Sequence, residues 1–159
     1  MRIIFPIFCS LSFLLLCACS DSQLGESAAR ERLRNDYLKA VAQQDFEAMV
    51  ELYHWEHVEP RYRQLVLVAL RNELPMEVRD ITFHDLEPGD GIDFEFQGAP
   101  YTGNLTPQLR MGVEFETEDF FSTSYLLGFH VGRYKIINAV PRKSLKTNDS
   151  DNATGHSHD

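Results

Sequence analysis

The sequence predicts an α+β fold, with three N-terminal helices on one face of a mostly antiparallel sheet of about five strands. Apolar residues recur at helical spacing between residues 28 and 73, and from residue 78 onward they alternate with polar residues at strand spacing. Hydrophobic residues make up 43% of the chain and aromatic residues 11%, which is typical of a globular protein with one real core.

Two helices are predicted at the start of this body. Ser27 is a candidate cap for a helix over 28–43, whose apolar residues share one face. Asp45 is a candidate N-cap for a second, short helix over 46–53. The polar segment before Ser27 predicts a short tether.

A third helix is predicted to begin at Pro60, a residue that suits a first helical turn, and to run to about Glu73 before Pro75 ends it. Six consecutive apolar residues, 65–70, predict that this helix is buried on more than one side.

The strands follow. Val78–Leu86 predicts the first, and the glycine-rich segment 88–91 predicts a turn. The alternation of Ile92, Phe94 and Phe96 with acidic and amide residues predicts a half-buried second strand. A loop or wide hairpin is then predicted over 98–107, and further strands over 111–116, 121–131 and 134–140.

The first 19 residues have a different character. Arg2 precedes an uncharged apolar stretch, Ile3–Leu16, as in the charged and apolar regions of a secretory signal. This stretch is too short for a transmembrane helix, which needs about 20 apolar residues. It ends in Leu16-Cys17-Ala18-Cys19, which resembles the bacterial lipoprotein box.

This resemblance implies cleavage before Cys19 and acylation of that cysteine, which together supply enough acyl chains for stable membrane anchoring. Ser20 follows the cysteine, and in such proteins this points to the outer membrane, on the side that faces the periplasm. The expected organisation is a signal peptide (1–18), a lipidated cysteine and tether (19–27), one domain (28–141) and a disordered polar tail (142–159).

Charge and cysteine content exclude several functions. The net charge is −9 and no basic patch interrupts it, so nucleic acid is not an expected partner. All three cysteines, Cys9, Cys17 and Cys19, lie in the leader, which excludes disulfides and cysteine-based metal sites in the body. No cofactor motif is present.

Two segments carry a second resemblance. They are the run 37–53, which contains Tyr37, Ala40, Asp45, Phe46 and the pair Leu52-Tyr53, and the run 127–137, which ends in a strand that starts with Tyr134-Lys135. This layout resembles the nuclear transport factor two-like superfamily, also called the cystatin-like cone. The resemblance implies a curved sheet that wraps a long helix and encloses an apolar pocket, but that fold hosts enzymes, binding modules and assembly proteins alike.

Aromatic residues are the candidate ligand-binding set, because tyrosine and tryptophan suit a pocket mouth. Core packing explains the same residues without a ligand. The set is Tyr37, Tyr53, Trp55, Tyr62, Phe94, Phe115 and Tyr125.

Histidines and acids give no catalytic or metal prediction. His54 and His57 are three residues apart and would share a face on a helix, but two ligands do not make a metal site. Enzymes of the resembled superfamily carry a proton donor or acceptor inside the cone. The conceivable equivalents are Tyr37, His84, Asp85 and His130, and no motif assigns any of them.

The sequence therefore predicts a non-enzymatic, lipid-anchored periplasmic module that binds a small apolar ligand or another envelope protein. Two alternatives remain. One is a small cofactor-independent isomerase or cyclase on the same fold, and the other is a structural envelope subunit that dimerises through its open sheet face.

Overall fold

The computed structural model describes residues 18–117 and 121–142, with side chains from residue 25 onward. Residues 1–17, which include most of the predicted signal peptide, and the predicted tail from residue 143 lie outside this part of the chain. The helices are α1 (Ala18–Gln43), α2 (Phe46–Glu51) and α3 (Pro60–Glu73). The strands are β1 (Val78–Asp85), β2 (Phe94–Phe96), β3 (Ala99–Gly103), β4 (Leu109–Phe115), β5 (Ser122–His130), β6 (Arg133–Ile136) and β7 (Ala139–Pro141).

The α+β class and the three helices are confirmed. The Asp45 side chain accepts a hydrogen bond of 2.9 Å from the Ala48 N–H and so caps α2, as predicted. The predicted bounds of α3, Pro60 to Glu73, are also correct. The Ser27 cap is wrong, because α1 already begins at Ala18 and includes the segment expected to be a tether.

The sheet differs from the prediction. Instead of one sheet of about five strands, there is a four-stranded antiparallel sheet in the order β1-β4-β5-β6 and a three-stranded sheet in the order β2-β3-β7. The predicted strand over 134–140 is broken at Asn138. There the Asn138 side chain donates to the His54 carbonyl at 2.7 Å, and its backbone N–H donates to Asn104 Oδ1 at 3.0 Å. These bonds replace ladder bonds, so the chain leaves one sheet and enters the other.

The core lies between the helices and one face of the four-stranded sheet. Strand β4 shows the pattern most clearly, because Leu109, Met111, Val113 and Phe115 are all buried while the residues between them are half-buried. The helices contribute Leu33, Tyr37, Met49 and Leu70, among others.

Two predicted burials are wrong. Helix α3 is not buried on more than one side, since Leu65 is 62% exposed and Val68 is 52% exposed. Strand β2 is not half-buried, since every one of its residues is exposed. A two-residue alternation shows that Phe94 and Phe96 share a face, but it does not show that anything covers that face.

The described residues include no helix that is both long and apolar enough to cross a bilayer.

A strained turn joins β5 to β6. Val131 and Gly132 form the two-residue connection between the paired residues His130 and Arg133, and both have positive φ, 44° and 78°. This backbone suits the type I′ turn, which favours asparagine followed by glycine and disfavours a β-branched residue.

We expect Val131→Asn to raise the free energy of unfolding by about 1 kcal/mol, because asparagine tolerates the left-handed backbone that strains valine. Urea unfolding followed by circular dichroism measures the change. Gly132→Ala serves as the opposite control and should lower stability. A Val131→Asn protein that is less stable than the parent would contradict the strain argument.

Candidate functional site

An open groove lies between the first half of α3 and the β2–β3 hairpin. Its walls are apolar and mostly aromatic, and its volume is about 310 Å³. We call it the aromatic groove; the wall residues are Tyr62, Leu65, Phe94, Phe96 and Tyr101, and the rim residues are Glu59, Arg61 and Gln97.

The hairpin side of the aromatic groove is held by its own rings. The Phe94 ring stacks on Tyr101 with centroids 5.3 Å apart, and Phe96 meets the same tyrosine edge-on at 6.3 Å. The Tyr101 hydroxyl donates to Glu59 Oε2 at 3.2 Å and so links the hairpin to the start of α3. Even so, Phe94 remains 45% exposed and Phe96 52% exposed.

A buried carboxylate forms a second cluster inside the core. Both the Tyr37 hydroxyl and the Tyr125 hydroxyl donate to Glu73 Oε1 at short range. Tyr53 joins the cluster with its ring edge-on to Tyr125, at a centroid distance of 6.1 Å. These bonds connect α3 to α1 and to β5, because each of the three partners belongs to a different element.

Burial sets the protonation of the tyrosines in this cluster. Desolvation raises the pKa of Tyr37, and the nearby Glu73 carboxylate raises it further. Desolvation likewise raises the pKa values of Tyr125 and Tyr53. All three hydroxyls therefore keep their protons at neutral pH, which allows Tyr37 and Tyr125 to act as hydrogen-bond donors to Glu73.

The predicted aromatic set does not form one pocket. Tyr37, Tyr53 and Tyr125 belong to the buried cluster around Glu73, whereas Tyr62 and Phe94 line the aromatic groove. Phe115 is in the core, where its ring stacks on Phe121.

Trp55 lies beside the buried cluster. Its ring stacks on Tyr53 at 5.5 Å, and its indole N–H donates to the Val50 carbonyl at 2.7 Å. The guanidinium of Arg63, a residue of α3, lies 5.0 Å from the centre of the indole ring. Trp55 thus joins α2 to α3 through stacking and a cation–π contact.

His54 and His57 do not share a helical face, because both follow the end of α2 in non-helical backbone. His54 is buried, and its ring lies 4.5 Å from that of His130. His57 is exposed. No group of three or more histidine, cysteine or acidic side chains that could hold a metal occurs among the residues the structure describes.

The conceivable proton carriers are scattered. Tyr37 is buried against Glu73, His84 and Asp85 are exposed on β1, and His130 is half-buried beside His54. They do not converge on one cavity.

A second groove, of about 270 Å³, lies between α1, α2 and β6. We call it the charged groove. Its cationic lining residues are Arg32, Lys39, Arg133 and Lys135, and its acidic ones are Asp36, Asp45 and Glu51.

Sequence reasoning missed Glu73 as a site residue. A signal was present, because Glu73 follows Tyr62, Val66 and Leu70 at helical spacing and therefore falls on the buried face of α3. It also missed Leu65 and Tyr101 in the aromatic groove. No comparable signal marks Tyr101, which falls in a segment expected to be a loop or wide hairpin.

No protein-family model, curated protein or solved structure matches this chain.

We expect Glu73→Leu to lower the free energy of unfolding by roughly 2–4 kcal/mol, because two buried tyrosine hydroxyls lose their shared acceptor. Tyr125→Phe removes one of these bonds and should cost about 1 kcal/mol. Urea titrations of both variants and of the double variant measure the coupling. Glu73→Leu with parental stability would show that the cluster does not support the fold.

We expect the protein to lose stability in mild acid through His54. Burial lowers the pKa of His54 and the adjacent His130 lowers it further, while Glu56 opposes the shift. The folded state therefore favours the neutral ring. The contribution of neutral His54 to the free energy of unfolding is complete above the pKa of about 6.5 that histidine has in the unfolded chain. It is lost as the pH falls through the lower pKa of His54 in the folded protein.

Thermal unfolding between pH 7.5 and pH 4.5 tests this. His54→Gln should flatten the acid side of the stability profile, whereas His84→Gln, at an exposed position, should leave it unchanged. Equal slopes for His54→Gln and the parent would assign the acid sensitivity to other groups.

Proposed function

We propose that this protein is a lipid-anchored interaction module of a bacterial envelope, which holds an apolar segment of another envelope protein in the aromatic groove. One observation carries the proposal: the rings of Phe94 and Phe96 and the side chain of Leu65 are exposed around one groove. Large exposed apolar side chains that cluster, rather than scatter, mark interaction sites.

The shape and composition of the groove favour a protein over a small ligand. A small-molecule site usually encloses most of its ligand, whereas here the two phenylalanine rings are about half exposed before anything binds. Tyrosine, phenylalanine and arginine are also the residues that protein interfaces favour, and Tyr62, Tyr101 and Arg61 line this groove.

The strand order adds a second reason. Among the described residues, strand β2 is the outer strand of its sheet, and its two phenylalanines line the aromatic groove. An extended segment could add to the outer edge of this strand through main-chain hydrogen bonds and place alternate side chains between Phe94 and Leu65.

The proposed location of the module is inferred from the N-terminal signal segment. The charged start, the apolar stretch and the Leu16-Cys17-Ala18-Cys19 box support cleavage before Cys19 and lipid attachment to it, and Ser20 favours the outer membrane. The body after Cys19 contains no further cysteine, which suits an oxidising periplasm.

We also propose kinship with the nuclear transport factor two-like superfamily. The support is the α1–α2 helix pair, which contains Tyr37, Ala40 and Phe46 and has Asp45 as the cap of α2, and the β5–β6 hairpin, whose last strand contains Tyr134 and Lys135.

A photo-crosslinking phenylalanine analogue at position 96 tests the function in living cells that export the full chain. We expect an adduct with an envelope protein, and we expect Leu65→Ser on the opposite wall to abolish it. The matched control is position 121, where Phe121 is also about half exposed (46%) but outside the aromatic groove. Equal adducts at both positions, or adducts with lipid alone, would contradict the proposal.

Once a partner segment is known, Phe96→Ser should weaken its binding by about 2 kcal/mol, roughly thirty-fold, as expected for an aromatic residue central to an interface. Isothermal titration calorimetry measures the loss, and Phe121→Ser should bind as the parent does. Unchanged affinity in Phe96→Ser would remove the aromatic groove from the binding site.

The enzyme alternative is favoured by one observation, the buried Glu73 with its two tyrosine donors. Neither the aromatic groove nor the charged groove is lined by Glu73, so a substrate would need another way to reach it. We therefore rank an isomerase or cyclase activity below the interaction module.

A further inference from the structure

The β5–β6 turn exposes apolar side chains where a polar residue would be better suited. Val131 is 84% exposed and has positive φ, and Phe129 on the adjoining strand is 47% exposed with its ring edge-on to Tyr134 at 5.3 Å. Strained backbone persists where a side chain has a role that outweighs the strain. We call Phe129, Val131 and the turn between β5 and β6 the hairpin tip.

The contacts of α1 show that its N-terminal end lies at the same end of the sheet as the hairpin tip. Glu26 accepts a hydrogen bond from the Tyr134 hydroxyl at 3.2 Å, close to the turn. Further along the helix, Tyr37 contacts Tyr125 in the middle of β5. Helix α1 therefore runs from the tip end of the sheet towards the middle.

The same geometry places the lipid anchor near the hairpin tip. Cys19 lies in the first turn of α1, and at about 1.5 Å per residue it stands about 10 Å beyond Glu26 along the helix axis. A β-strand rises about 3.3 Å per residue, so the turn lies about 7 Å beyond Tyr134 along the hairpin. The anchor position and the tip thus project from the same end of the domain by similar distances.

Charge at this end suits a phospholipid surface. His130 and Arg133 directly flank the turn, and Arg32 lines the charged groove together with Arg133. The acidic residues of that groove are Asp36, Asp45 and Glu51, and the Glu51 backbone carbonyl accepts a hydrogen bond from Lys135 Nζ. Glu26, the acid that contacts Tyr134, is neutralised by an ion pair with Arg30 at 2.6 Å. In a chain of net charge −9, basic residues beside an exposed apolar tip favour lipid phosphates.

We propose that the hairpin tip inserts Val131 and Phe129 into the headgroup region of the membrane that holds the acylated Cys19. This second contact rests on the proposed lipid anchor. An anchor alone leaves the domain free to tumble about its attachment, whereas two contacts at one end fix which face of the domain points to the membrane.

Single-cysteine labelling tests the contact. The acylated chain contains no thiol after Cys19, so a label on Val131→Cys is unique. The full chain is produced in a Gram-negative host, purified in its processed form, labelled with an environment-sensitive nitrobenzoxadiazole dye and reconstituted in vesicles of phosphatidylethanolamine and phosphatidylglycerol. Ser122→Cys is the matched control, because Ser122 is exposed at the opposite end of β5.

We expect the label at position 131 to emit at shorter wavelength with vesicles present and to be quenched by brominated acyl chains, while the label at position 122 stays water-like. Arg133→Glu should reduce the shift at position 131. A water-like signal at position 131 would overturn the membrane contact.

Mass spectrometry of the same samples tests the anchor separately. Acyl mass on Cys19 with a water-like label at position 131 would overturn the hairpin contact and leave the anchor standing. A missing acyl mass would overturn the anchor, and the emission at position 131 would still decide whether the hairpin tip meets the bilayer. Circular dichroism of Val131→Cys and Ser122→Cys verifies that both variants are folded.

Discussion

The pair of hydrogen bonds from Tyr37 and Tyr125 to Glu73 is the constraint on which the arrangement of layers depends. A buried carboxylate needs donors, and these two come from α1 and from β5, so satisfying Glu73 fixes α3 against both at once. Leu70 and Leu74 bury the same end of α3 in the core. The other end of the helix is thereby held over the β2–β3 hairpin, where it forms one wall of the aromatic groove.

The sequence predicted what local chemistry determines. Asp45 and Pro60 marked helix starts because capping and proline geometry act within one turn, and the alternation in β4 marked its buried face. It did not predict the break at Asn138, because the hydrogen-bond partners of that residue, His54 for its side chain and Asn104 for its backbone N–H, are distant in the chain. The division into two sheets depends on those long-range hydrogen bonds.

The candidate site was predicted in part for the same reason. Composition identified the aromatic residues, but only tertiary contacts decide which of them are core and which are surface. Tyr37 and Phe94 were equivalent candidates in the sequence, yet one is fully buried and the other is nearly half exposed. Phe94 and Leu65 are exposed because α3 and the β2–β3 hairpin do not cover each other fully at the aromatic groove. No local sequence pattern encodes how far two distant elements overlap.

The two edges of the three-stranded sheet differ in their ability to accept another strand. The Asn104 N–H donates to the Asn138 carbonyl, and in an antiparallel ladder hydrogen-bonded and non-hydrogen-bonded residue pairs alternate from that point. The pair Tyr101 and Pro141 is therefore a non-hydrogen-bonded pair, and the Pro141 nitrogen faces the outer edge of β7. That nitrogen carries no hydrogen, which weakens the outer edge of β7 as a template. Copies of this domain are thus hindered from stacking edge to edge into a filament, and whatever joins β2 terminates growth there.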